Sequence, residues 1–182
     1  MEKVAGIITP VSRQPKPLIT QKKINQAVAK LAAEIRRDYR GKQPLLIGIL
    51  KGSFVFMADL VRELDLPIEV DFVKLSSYGA GTRTSGKVKV VHGLKSKIKG
   101  RDVLIIEDIV DTGLTVTFVM DYLGKKKPAS LKLCALVDKP SQHKVPVTID
   151  YLGFTVPDKF VVGYGIDWNE KFRHLRDICF ID

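Results

Sequence analysis

The sequence predicts an α/β fold, a mostly parallel sheet flanked by helices, and three observations lead to it. Short apolar runs alternate along the chain with segments whose apolar residues recur at helical spacing. After Lys139 the pattern changes to short apolar stretches split by Pro157 and by the charged residues 169–177, as expected of a small hood set on the sheet. At 182 residues, with 45% apolar and 27% charged content, the chain suits one domain with a core of its own.

Taken in order, Pro10, Pro15 and Pro17 hold the first segment extended, and Thr20 is placed to cap a helix. Ile24, Val28, Leu31 and Ile35 give that helix one apolar face, the other being left to solvent. Pro44 closes the next loop. Leu45 to Leu50 then reads as a buried strand, with a helix from Ser53 to Glu63 behind it. Ile68 to Leu75 supplies a second strand, and residues 79–86, with three glycines and no large apolar residue, read as a mobile loop. Strand Val103 to Ile106, helix Thr115 to Leu123 and strand Leu131 to Val137 continue the alternation, which requires helices on both faces of the sheet. Val147 to Phe154, Phe160 to Tyr164 and Ile178 to Ile181 are the hood segments. The expected organisation is a single domain over 1–182, with its core at about 40–140 and its hood at about 141–182.

The formal net charge of +10 would attract phosphate-rich small molecules as readily as nucleic acid. Neither Lys95-Ser96-Lys97-Ile98-Lys99 nor Lys125-Lys126-Lys127-Pro128 is interleaved with aromatics, so both read as solvated loops and nucleic acid is not an expected partner. Cys134 and Cys179 sit in apolar stretches and His92, His143 and His174 lack ligand spacing, which favours core thiols in a reducing compartment over a metal site. No charged-then-apolar leader and no apolar run of membrane-spanning length is present, so a cytoplasmic protein without a membrane partner is expected. The GxGxxG, GxxxxGK[ST] and GxSxG patterns are also missing, which removes dinucleotide dehydrogenases, Walker-type nucleotidases and serine hydrolases.

The most specific feature is the string that follows Val103-Leu104-Ile105-Ile106. Two adjacent acids, Glu107 and Asp108, end the apolar run, and Asp111-Thr112-Gly113-Leu114-Thr115 opens a helix. Carboxylates suit sugar hydroxyls and hard cations, whereas helix-start amides suit phosphate, so the string points to a ligand carrying both. An acidic solvated turn with an ordinary cap is the plainer alternative, and Asp111 in particular suits helix capping as well as chemistry.

This string resembles the phosphoribosyl-diphosphate-binding motif of the type I phosphoribosyltransferases. Leu50-Lys51-Gly52, Leu75-Ser76-Ser77-Tyr78, Val137-Asp138-Lys139-Pro140 and the run from Pro157 to Asp167, followed by Arg173, resemble segments of the hypoxanthine (guanine) phosphoribosyltransferases of purine salvage, in family order. The resemblance implies a magnesium-dependent transfer of the 5-phosphoribosyl group from phosphoribosyl diphosphate (PRPP) to a 6-oxopurine base, releasing pyrophosphate. It implies that Glu107 and Asp108 hold the ribose hydroxyls and, with Asp167, associate with magnesium. Thr112, Gly113, Leu114 and Thr115 would wrap the 5′-phosphate, and Asp111 would be the general base or proton partner at purine N7.

By the same resemblance Lys51, Gly52 and Arg173 contact pyrophosphate, with the Leu50–Lys51 peptide cis, and Ser77 and Tyr78 belong to a loop that closes over the reaction centre. Lys139 would recognise the oxygen at purine C6, Phe160 would stack on the base and Val161 would recognise it through the main chain; Asp138 is the other candidate for the position of Lys139. Hood residues from about 1–20 and a homo-oligomer, dimer or tetramer, are implied too. Read alone, Lys51-Gly52 is a strand-to-helix turn, Phe160 a core aromatic, and Asp167 with Arg173 a surface ion pair. Two other functions stay open: an RNA-binding regulator on the same fold, and transfer to another base such as xanthine.

Overall fold

The computed structural model describes residues 14–77 and 88–181. Tyr78 and the glycine-rich stretch 79–86, named above for a closing loop, lie outside the described residues, as does most of the N-terminal hood segment.

A six-stranded sheet forms the centre, in the order β4-β3-β2-β5-β6-β7. Its members are β2 (Leu45–Leu50), β3 (Glu69–Ser77), β4 (Val88–His92), β5 (Asp102–Val110), β6 (Ser130–Asp138) and β7 (Tyr151–Thr155). All neighbours run parallel except β4, which lies antiparallel against β3 at one edge. Strand alternation sorts the apolar residues onto two faces. Leu46, Leu104 and Ile106 pack under helices α1 (Gln21–Asp38) and α2 (Phe54–Leu64), while Leu45, Ile47 and Ile105 pack under α3 (Leu114–Gly124). A parallel sheet covered on both faces reads in sequence as continuous apolar runs, which is why β2, β5 and β6 were legible.

The predicted face of α1 is realised: Ile24, Val28, Leu31 and Ile35 are buried. Thr20 occupies the N-cap position but its side chain makes no capping bond; the Gln21 N–H donates to Asp177 Oδ1 at 2.7 Å instead. The hood is a second, three-stranded antiparallel sheet, ordered β1 (Lys16–Ile19), β9 (Ile178–Ile181), β8 (Phe160–Val162). Residues near both ends of the chain thus pair directly, Lys16 with Phe180 and Pro17 with Cys179.

Two expectations need correction, and one strand has no counterpart in the sequence reading. Strand β5 does not end at the two acids but runs through them to Val110, because β6 continues to pair with it as far as Asp138. Strand β7, expected in the hood, joins the main sheet in parallel with β6; the crossover between them contains no α-helix, so the alternation that marks a parallel strand was absent. Strand β4 was not foreseen: it is an edge strand with exposed Lys89, and Val91 is 57% exposed, so little burial marks it.

Candidate active site

In the main sheet the chain leaves β2 toward β3 on one side and resumes at β5 on the other. Such a switch point leaves a crevice at the carboxyl ends of the two strands, where α/β folds bind ligands. The turns after β2 and β5 are the two segments singled out by sequence, Lys51-Gly52 and Asp111-Thr112-Gly113. A cleft of about 270 Å³ opens there. Lys51, Gly52, Asp167 and Arg173 line it together with Asp108, Asp111, Lys139, Phe160 and Val161. A smaller cavity of about 60 Å³ adjoins it, lined by Glu107, Thr112, Gly113 and Thr115, with Asp111 common to both.

The two adjacent acids therefore part company: Asp108 faces the larger cleft and Glu107 the smaller cavity, as neighbours on a strand should. Each is only 7% exposed. Burial, and then the charge of Asp108, raises Glu107 well above the usual carboxylate range. Its Oε2 is buried without a hydrogen-bond partner, an acceptor suited to a ligand hydroxyl. Burial pushes Asp108 up to about 6, against the pull of its own and Ile109's backbone N–H and of Arg173.

The small cavity lies against the start of α3. Gly113, with φ of +80°, is the N-cap of α3, and no side chain caps this helix, so Asp111 is not its cap. A Cβ on Gly113 would meet Val147 Cγ2 at 2.6 Å and Val145 Cγ2 at 3.1 Å. Leu114 starts the helix but does not line the cavity.

Lys139, which lines the large cleft, is buried, and its Nζ lies 3.8 Å from Asp111 Oδ1. The Lys139 N–H donates to the Val110 carbonyl and the Lys144 N–H to the Thr112 carbonyl, both at 2.9 Å, which ties this segment to the turn that opens α3. Asp138 is turned away, its Oδ1 2.7 Å from His143 Nε2. Lys139 rather than Asp138 therefore reaches the cleft. Phe160 is 51% exposed on the cleft wall, not a core aromatic, with its ring edge-on to Trp168 at 6.2 Å; Trp168 stacks on Phe172 at 6.4 Å.

In the turn after β2 the Leu50–Lys51 peptide is cis. A Cβ on Gly52 would overlap the Asp108 carboxylate, so only glycine lets this turn approach the acid so closely. Arg173 donates through Nη1 to the Gly165 carbonyl at 2.7 Å, and its Nη2 lies 2.8 Å from Asp167 and 3.1 Å from Glu170. Lys51 Nζ is 2.7 Å from Glu170 Oε1. Sequence reasoning assigned Glu170 no role, because its partner Lys51 lies 119 positions away. Ser77 is the last residue of β3, and Tyr78 beyond it lies outside the described residues.

No cluster of three or more His, Cys, Asp or Glu capable of holding a metal exists among the described residues. Asp108 and Asp167 nevertheless share the large cleft, and magnesium commonly takes one or two carboxylates and completes its octahedron with water and substrate oxygens. That donor set fits magnesium held jointly by protein and substrate. Glu107, named with them from sequence, faces the other cavity.

The family profile described as "Phosphoribosyl transferase domain" matches residues 18–169. The chain is 47% identical over 160 residues to a hypoxanthine phosphoribosyltransferase of Salmonella typhimurium, covering 87% of this chain and 90% of that protein. It is 46% identical over 160 residues to a hypoxanthine-guanine phosphoribosyltransferase of Bacillus subtilis, covering 88% and 89%. Among solved structures, a hypoxanthine phosphoribosyltransferase from Staphylococcus aureus superposes with a TM-score of 0.88 at 40% identity, covering 92% of this chain and 91% of that one.

Proposed function

This chain belongs to the phosphoribosyltransferase family, and on that premise we propose that it is a purine salvage enzyme of the pentosyltransferase class. It transfers the 5-phosphoribosyl group of PRPP to hypoxanthine, and to guanine, giving the nucleoside 5′-monophosphate and pyrophosphate. The observation that carries this reading is one cleft, at the topological switch point, lined by the Lys139–Asp111 pair and Phe160 together with Lys51, Arg173 and the buried Asp108. One site thereby offers a buried lysine and an aromatic ring for a base, two cations for a diphosphate, and a buried carboxylate.

In this reading Glu107 and Asp108 take the ribose hydroxyls. The amides and hydroxyls around Thr112, Gly113 and Thr115 take the 5′-phosphate, Leu114 contributing through the start of α3. Lys51, Gly52 and Arg173 take the diphosphate, for which Arg offers bidentate geometry. Lys139 donates to the oxygen at purine C6, a group that adenine lacks. Phe160 stacks on the base and Val161 presents its backbone to it.

As N9 of the base bonds to the anomeric carbon, the bond from that carbon to the pyrophosphate oxygen breaks, and the proton on N7 passes to the Asp111 carboxylate. Asp108 sits where positive charge develops on the sugar, and closing the strand ends around it removes water that would compete for that charge. Bound magnesium supplies charge neutralisation of the diphosphate, and Asp108 and Asp167 are the residues that would hold it. A homo-oligomer, dimer or tetramer, and a cytoplasmic location complete the proposal.

The test is one panel: protein, magnesium and PRPP with hypoxanthine, guanine, xanthine or adenine, assayed for mononucleotide. Product with 6-oxopurines and none with adenine supports the Lys139 assignment. Absence of product with every base refutes the reading.

A further inference from the structure

Both cations assigned to the diphosphate already hold an anion. Lys51 Nζ lies 2.7 Å from Glu170 Oε1, and Arg173 Nη2 lies 3.1 Å from Glu170 Oε2, so one carboxylate bridges the two with one oxygen each. We propose that Glu170 is an internal stand-in for a phosphoryl group, occupying Lys51 and Arg173 in the empty site and yielding them when diphosphate binds. It thereby sets the affinity for the diphosphate half of the substrate and the ease with which pyrophosphate leaves. This inference rests on the functional reading above.

The local backbone aims the side chain. Trp168 and Lys171 exchange backbone hydrogen bonds at 3.2 and 3.0 Å around a two-residue tip, Asn169 with φ of +50° and Glu170 with φ of +63°. Two central residues of positive φ make a turn that favours glycine at the second of them. Here that residue is a glutamate reaching both cations.

The two acids on Arg173 differ in how readily they can let go. The side chain of Asp167 is 30% exposed and that of Arg173 18%, and Asp167 also accepts the Glu170 N–H at 2.8 Å, so it keeps the guanidinium oriented. The Glu170 side chain is 63% exposed and that of Lys51 50%, a solvent-screened contact of small net worth that a more highly charged diphosphate can replace. Hydrogen bonds from Lys51 and then Arg173 hold the Glu170 carboxyl below its usual range, so it is ionised and competes as an anion at neutral pH.

The test uses the full chain and two variants. Glu170→Gln removes the charge at constant size, and Glu170→Gly suits the turn. Magnesium pyrophosphate binding is measured by calorimetry, alongside KM for PRPP and kcat. Both variants are expected to bind pyrophosphate about three- to tenfold more tightly, with KM for PRPP falling and kcat not rising. Unchanged or weaker pyrophosphate binding in both overturns the inference while leaving the transferase reading intact, provided the parent protein makes mononucleotide. A parent protein that makes none overturns both.

Discussion

Gly52→Ala is a one-methyl probe of how closely the turn after β2 must approach the end of β5. A Cβ built on Gly52 lies inside the Asp108 carboxylate, 2.5 Å from Cγ and 2.7 Å from Oδ1. Neither side can yield freely. The Asp108 carboxylate is fixed by its own and Ile109's backbone N–H, and the Gly52 carbonyl occupies the space that a Cβ on Gly165 would need. Overpacking of this kind costs about 1–3 kcal/mol, which for a domain of this size lowers Tm by roughly 3–10 °C. If Asp108 moves by about 1 Å instead, the stability loss shrinks and the expense falls on chemistry, about 10²-fold in kcat/KM for PRPP. Thermal unfolding and steady-state kinetics with PRPP varied at saturating hypoxanthine measure both arms. A variant with Tm and kcat/KM both within twofold or a degree of the parent would falsify the claim that this contact shapes the site.

Asp111→Ala should lower kcat by roughly 10²–10⁴ while PRPP binding falls much less, read by kinetics and by PRPP titration; near-normal kcat removes Asp111 as the proton acceptor. Phe160→Ala should weaken purine binding by about 1–3 kcal/mol, seen as a raised KM for hypoxanthine with little change in Tm, because the ring is half exposed and contributes little to the core. A change confined to KM for PRPP would contradict the stacking assignment. The pH dependence has a definite sign. Asp108 titrates near 6 when folded and near 4 when unfolded, so the folded state binds the extra proton and loses stability as pH rises through that window. Asp108→Asn cannot ionise, and its advantage over the parent in chemical unfolding should grow between about pH 4 and 6 to at most about 3 kcal/mol. An advantage that does not change with pH would mean that Asp108 is not held protonated by burial.

The strands β2, β5 and β6 were readable because each is apolar on both faces, and α1 because four residues at helical spacing all reach the core. Strands β4 and β7 were not: one is a solvent-washed edge, and the other follows a crossover without an α-helix. The same distinction holds in the site. Gly113 and the acids were visible as a local string, but the alternation of β5, which sends Glu107 and Asp108 into different cavities, became plain only once the strand was seen to continue through them.

By itself the sequence determined the covered parallel sheet and singled out the two turns that line the cleft, because burial on two faces and the backbone chemistry of a turn are properties of neighbouring residues. Tertiary structure alone decided which distant groups share a charge. Lys139 rather than Asp138 faces Asp111 because His143 takes Asp138, and Glu170 meets Lys51 only because the hood turn folds down beside the cis turn after β2. Electrostatic partners act through space, and no local pattern of residues records which ones the fold will bring within a few ångströms.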